Sequence, residues 1–435
     1  MKNEKWLPDL QLYQRPGIVE LMWGHPAFVL LPADEVRQAA QVALERDGSL
    51  ALAYGAEQGP RCLIEQVCAR LGRLEGAAPD PEQVMVTGGV SQALDLLCTL
   101  LTQPGDVVLV ESPTYYLALR VLRDHGVELV PVPADEEGLR VEALEEALAS
   151  LRREGRRVRL LYLVPTFNNP TGRTLGIERR RALVERAERE GLTVLEDDVY
   201  RELWYEVPPA PSLYSLAPAG PVVRLGSFSK VLAPGLRLGW MLASPEIVRR
   251  CTGSGLLDSG GGVNHFTAHV VAALMELGLL ERQVERLRAA YRERRDALLA
   301  GLGKYLPEGC RWARPGGGFF VWLRLPAGVD SEVFLPAAEA AGVSYVPGAR
   351  FFTGGGGGEY CRLAFTLVSL EELDEGARRL GEAVGTREGT RIGRISGSEE
   401  HGLAGLTDRK NTDWQDWRIG RIGAEGDEKL VGENP

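Results

Sequence analysis

"LTVLEDDVY", residues 192–200, is apolar through Leu195 and then acidic at three consecutive positions. A strand that is apolar on both faces has to be covered on both faces, and its far end lies where parallel strands build binding sites. Toward the N-terminus comes the amphipathic stretch "GIERRRALVERAERE" (176–190), and before it a second apolar run, "VRLLYLVPT" (158–166). Toward the C-terminus the pattern resumes with "PVVRLGSFS" (221–229). Farther out, "QVMVTGG" (83–89) precedes "VSQALDLLCTLLTQ" (90–103), and "DVVLVES" (106–112) precedes "YYLALRVLRDHG" (115–126) and "ELVPVP" (128–133). Short β-branched runs alternating with amphipathic helices predict an α/β fold with a mainly parallel sheet.

The next segment predicts a second, smaller α+β lobe. A long Arg/Glu-rich helix (about 281–306) is followed by "GGFFVWLRLP", "SEVFLPAAEAAGVSYVP" and "YCRLAFTLV", which mix strand and helix. Gly354–Gly358 has no helix start after it, so it reads as a strand-to-strand loop. After about Gly385 the chain becomes rich in glycine and charge and repeats "RIGRI" at 391 and 418, the pattern of a disordered appendage.

The 435 residues carry a formal net charge of -10, which argues against nucleic acid or an anionic membrane as the main partner. No apolar run approaches the roughly 20 residues of a bilayer span. The N-terminal segment lacks the apolar core of a signal peptide, and a cytoplasmic location is expected. The six cysteines form no CxxC pair and have no histidine cluster beside them, so neither disulfides nor a metal is expected.

Lysine is rare in this chain: six residues, and between Lys5 and Lys304 only Lys230. Arginine serves wherever a permanent cation is enough, whereas lysine can lose its proton and attack a carbonyl carbon. An amine nucleophile on this scaffold points to pyridoxal 5'-phosphate, which needs a lysine, an acid for its ring nitrogen, donors for its ring oxygen and an anion site. Ser227 and Arg237 flank Lys230, and "VTGGVSQALD" places the N–H groups of Gly89, Val90 and Ser91 at a helix start. At the end of "LEDDVY" the chemistry leaves Asp197 and Asp198 equivalent as the ring-nitrogen acid, with Tyr200 in reach of the ring oxygen. "FNNPTG" adds Asn168 and Asn169.

"NNPTG", "LEDDVY", "SFSKVLAPGLRLGW" and "CRLAF", in this order, resemble the class I/II aminotransferases of pyridoxal-phosphate fold type I. "YGAEQGP", "PGGGFFVWLRLP" and "VSYVPGARFF" are similar to the subgroup of 2-aminoadipate and broad-specificity aminotransferases. The resemblance covers about residues 15–385. It implies a large domain with a mainly parallel seven-stranded sheet flanked by helices, plus a smaller α+β domain. The corresponding boundaries are an N-terminal segment (1–60), a large cofactor-binding domain (61–275), a small domain (276–385) and a tail (386–435).

The resemblance also implies roles. Lys230 would bind the cofactor's aldehyde and shuttle the α-proton; Asp197, rather than Asp198, would hold the ring nitrogen, with Tyr200 and Asn169 on the ring oxygen. Tyr115 would stack on the ring, Arg362 would fork onto the substrate α-carboxylate, and Gly24 would line the pocket. Tyr54 would reach the phosphate of a neighbouring subunit, which implies a homodimer. The implied activity moves an amino group from an L-amino acid to a 2-oxo acid, with 2-oxoglutarate as acceptor, by ping-pong kinetics. The alternatives are a lyase or cyclising synthase on the same cofactor and, more remotely, an effector-sensing regulatory module. "FNNP", "GGVSQ" and Asn264-His265 depart from the usual pattern at the pocket edge.

Overall fold

The computed structural model describes residue 12 and residues 14–386. In chain order the strands are β1 (Val19–Glu20), β2 (Val84–Thr87), β3 (Val107–Ser112), β4 (Glu128–Asp135), β5 (Gly138–Leu139), β6 (Val158–Leu163) and β7 (Thr193–Asp197). They continue with β8 (Val222–Ser227), β9 (Gly239–Leu242), β10 (Arg311–Trp312), β11 (Phe320–Arg324), β12 (Val343–Ser344), β13 (Val346–Pro347) and β14 (Tyr360–Ala364).

The large sheet has the order β2-β9-β8-β7-β6-β3-β4-β5. From β8 to β4 every pairing is parallel, while β9 runs against both of its neighbours. Seven strands were expected; the eighth is the two-residue β5, a short hairpin onto β4 that carries too few apolar residues to register as a run. Val107 through Val110 on β3 are fully enclosed, as a sheet covered on both faces requires.

The covering helices follow from local pattern. Ile177–Glu190 buries Leu183, Val184 and Ala187 on one stripe and stops at Gly191, whose φ of +61° closes it with a left-handed cap. Val90–Leu101 buries Leu94, Leu97, Cys98 and Leu101 and starts directly after Gly89. The expected long helix runs Leu279–Tyr305 and packs with Leu370–Gly385, which also contacts the short parallel pair β1-β12; β10-β11-β14-β13 form a separate antiparallel sheet. Gly354–Gly358 lies in the connection between β13 and β14, as expected of a loop. Beyond Thr386 the tail lies outside the described residues.

The reversed strand β9 sets the geometry of one corner. Its Gly239 is paired with Thr87 on one side and Ser227 on the other. A Cβ at Gly239 would lie 2.9 Å from the Cα of Gly89, so only glycine lets that turn come so close. The helix start at Gly89 and the end of β8 are thereby brought side by side.

Candidate active site

Lys230 follows β8 and donates from Nζ to the carbonyl of Gly24 at 3.2 Å. Its Nζ lies 5.9 Å from the centre of the Tyr200 ring and 5.3 Å from that of Phe319. Burial among these groups, reinforced by the Arg362 cation, pulls the lysine pKa down to about 8. Gly24 itself is forced: a Cβ there would sit 2.7 Å from the Phe320 ring.

The structure separates the two carboxylates that sequence chemistry left equivalent. Asp198 turns away from Lys230 into a buried ion cluster, where Arg224 meets it at 2.9 Å and Glu75 pairs with Arg224 at 2.5 Å and Arg201 at 3.1 Å. Asp197 turns toward Lys230. Its Oδ2 accepts a 2.7 Å hydrogen bond from the Tyr162 hydroxyl, while its buried Oδ1 has no hydrogen-bond partner. Burial raises its pKa to about 6 against the pull of Tyr162.

The two asparagines divide in the same way. Asn168 is consumed by the turn: its amide donates to Glu111 at 2.8 Å and its oxygen accepts from Thr171. Asn169 faces the site, accepting from Arg362 Nη1 at 3.0 Å and hydrogen-bonding the Tyr200 hydroxyl. Arg362, on β14, also donates to the Met22 carbonyl at 2.6 Å and lies 4.2 Å above the Phe320 ring. Its Nε is buried without a partner, and burial lowers the guanidinium pKa. Tyr115 caps the helix Tyr116–Asp124; burial raises its pKa, and it feels the charges of both Asp197 and Arg362.

At the corner made by β9, Ser227 ends β8 and Arg237 reaches back to the Gly88 carbonyl at 3.3 Å, beside Gly89. Val90 and Ser91 form the first turn of the adjoining helix. Arg237 has a left-handed backbone, φ +48°, and its carbonyl accepts from the Asn264 side chain. Tyr54 is not brought to this site: it is 91% exposed, near the exposed Leu50 and Leu52.

Sequence reasoning missed three residues here. His25 feels the charges of Lys230 and Arg362, and burial with those cations pushes its pKa down to about 4. Phe320 is the plate under Arg362. Tyr162 had a legible signal, because it is the one polar-tipped side chain within the buried run Leu160–Leu163, and a buried hydroxyl needs a partner.

The whole arrangement is a desolvated amine and two arginines facing a single carboxylate, with a glycine turn at a helix start. Residues 19–380 match the family Aminotransferase class I and II, and the chain belongs to it. Among individual relatives, it is 40% identical to the 2-aminoadipate transaminase of Thermus thermophilus over 86% of this chain and 92% of that one. It is 35% identical to aromatic-amino-acid aminotransferase 1 of Thermococcus litoralis over 88% of this chain and 92% of that one. The crystal structure of Pyrococcus horikoshii kynurenine aminotransferase in complex with PMP superposes with a TM-score of 0.81 at 37% identity, covering 85% of this chain and 91% of that chain.

The protein is a pyridoxal-phosphate-dependent aminotransferase that moves an amino group between an amino acid and a 2-oxo acid by a ping-pong mechanism. Its residues fit that cofactor on two physical counts. The orphaned Asp197 Oδ1 is an acceptor lacking a proton donor, and the surplus of cations around Lys230 calls for an anion.

Proposed function

We propose that Lys230 is the amine that bonds to pyridoxal phosphate and, once released by substrate, the base that takes the α-proton. The observation that carries this is an amine enclosed by Tyr200, Phe319 and the Gly24 carbonyl in the site it shares with Asp197 and Arg362, surroundings that lower its pKa to about 8. When bound, the cofactor supplies an aldehyde that condenses with amines and a ring that draws electrons from the α-carbon. Asp197 would hold the proton on the ring nitrogen, its free Oδ1 being the acceptor available for it. Tyr200 and Asn169 would donate to the ring oxygen, and Tyr115 would cover the ring. Ser227, Arg237 and the N–H groups of Gly89, Val90 and Ser91 hold the phosphate, the last three at the positive end of a helix.

Arg362 takes the substrate α-carboxylate, supported by its flanking aromatics and its unpartnered Nε. Gly24 gives the substrate room beside Lys230. Each half-reaction uses the same arginine and the same lysine: an L-amino acid enters first, and 2-oxoglutarate is the acceptor of the second.

The chain acts as a homodimer in this proposal. Tyr54 lies among the exposed apolar residues Leu50 and Leu52, and it serves the phosphate site of the partner. Of the expected segments, residues 14–60 contribute to the pocket, the small domain and the dimer contact, 61–275 form the cofactor domain and 276–385 the small domain. A cytoplasmic location is part of the same reading; among the described residues no helix is long and apolar enough to cross a membrane.

Visible absorption of the purified protein tests the assignment. The wild type should be yellow, bleach with a donor amino acid, and recover its colour when 2-oxoglutarate is added. Lys230→Ala should lose the lysine-linked chromophore. A Lys230→Ala protein with the wild-type spectrum and steady turnover would overturn the role given to Lys230.

A further inference from the structure

The geometry points to Tyr162 as a positioning residue that fixes Asp197 so that one oxygen alone, Oδ1, is offered to the cofactor's ring nitrogen. This rests on the reading of Asp197 as the ring-nitrogen partner. Tyr162 and Asp197 stand on the adjacent parallel strands β6 and β7, with Tyr162 opposite Leu195. Both side chains are buried, and Tyr162 has no exposed surface.

The hydrogen bond between them has a fixed direction. Burial and the neighbouring Asp197 charge raise the phenol pKa well above its ordinary value, so the hydroxyl keeps its proton and can only donate to Oδ2. The donation has two effects. Together with the Val199 backbone N–H it holds the carboxylate plane, because rotation would break a 2.7 Å bond between two buried side chains. It also stabilises the charged form of Asp197, which burial alone would drive toward neutrality. A neutral Asp197 would carry its own proton and leave the ring nitrogen without one. The phenol thus keeps the shared proton on the nitrogen side of the pair.

A packing role and a positioning role make different predictions for Tyr162→Phe, which removes one oxygen and retains the ring. The test reconstitutes the enzyme with pyridoxal phosphate carrying an isotope-labelled ring nitrogen and records its NMR resonance at neutral pH, together with the cofactor dissociation constant. Tyr162→Phe is expected to move the resonance from the protonated toward the neutral position and to weaken cofactor binding by about tenfold, the size of one lost hydrogen bond to a charged group. A ring-fluorinated tyrosine at 162, a stronger donor of unchanged shape, should leave the nitrogen at least as protonated as in the wild type.

Asp197→Asn is the control. If it abolishes the protonated signal while Tyr162→Phe keeps both resonance and affinity, the inference about Tyr162 fails and the reading of Asp197 stands. If Asp197→Asn retains the protonated signal, both fail. Should Tyr162→Phe fold poorly, the fluorinated protein decides alone: a nitrogen less protonated than in the wild type refutes the inference.

Discussion

Asp197 and Asp198 are chain neighbours at the end of one strand, and they belong to two opposite kinds of buried electrostatics. On the Asp198 side, two carboxylates, Asp198 and Glu75, meet two arginines, Arg201 and Arg224, within the core. On the Asp197 side, the buried amine of Lys230 feels the buried Arg362 and the exposed Arg237 around one carboxylate. The first group is balanced by its own side chains and serves the fold. The second is out of balance, and a phosphorylated cofactor and a carboxylate substrate restore what it lacks. Burial of charge is therefore no sign of function by itself; uncompensated burial is.

The comparison can be broken most decisively at Lys230. Lys230→Ala should lower turnover by about 10⁴-fold, the upper range for a lost general base, while the denaturation midpoint stays close to that of the wild type. On the balanced side, Arg224→Ala should cost about 3–5 kcal/mol of stability by leaving two buried carboxylates, Asp198 and Glu75, to share the single arginine Arg201. Urea titration measures this, and the turnover of the folded fraction should remain near wild type. Asp197→Asn should show the reverse pattern, with turnover down by about 10²–10³-fold and stability little changed. Arg362→Lys should raise KM for the amino acid by about tenfold through loss of the bidentate fork.

The smallest effect is a pH shift. Only a neutral amine captures the aldehyde, and the lysine pKa is lowered to about 8, so capture of pyridoxal phosphate by apoenzyme should quicken as pH rises and level off above that value. In Arg362→Ala the midpoint should move upward, since a neighbouring cation has gone. Stopped-flow absorbance across pH reads both; a midpoint unmoved by the substitution would break the link between the two cations.

Much of the large sheet was legible because its strands are continuous apolar runs, and Lys230 stood out through the scarcity of lysine around it. The two-residue strand β5 left no such trace. Choices between adjacent residues were not legible in the chemistry of side chains at all. Asp197 and Asp198 differ by which way a pleated strand points them, and Asn168 and Asn169 by which one the turn consumes; both follow from backbone geometry. The pocket edge was harder still. His25 and Phe320 come together through contact between segments remote in the chain, and no local pattern records that.

The reversed strand β9 has a consequence for how the molecule comes into being. It is the last strand of the large sheet to leave the ribosome, yet it occupies an interior place between β2 and β8. A nascent chain that ends shortly after Lys230 already contains the lysine, Asp197 and the glycine turn, but nothing to draw Thr87 and Ser227 into one row. Strand β9 joins β8, made just before it, to β2, made far earlier in the chain, and that second pairing is a closure of high loop entropy. The corner assigned to the phosphate does not exist until that step is complete, and cofactor uptake thus selects chains whose large sheet is finished.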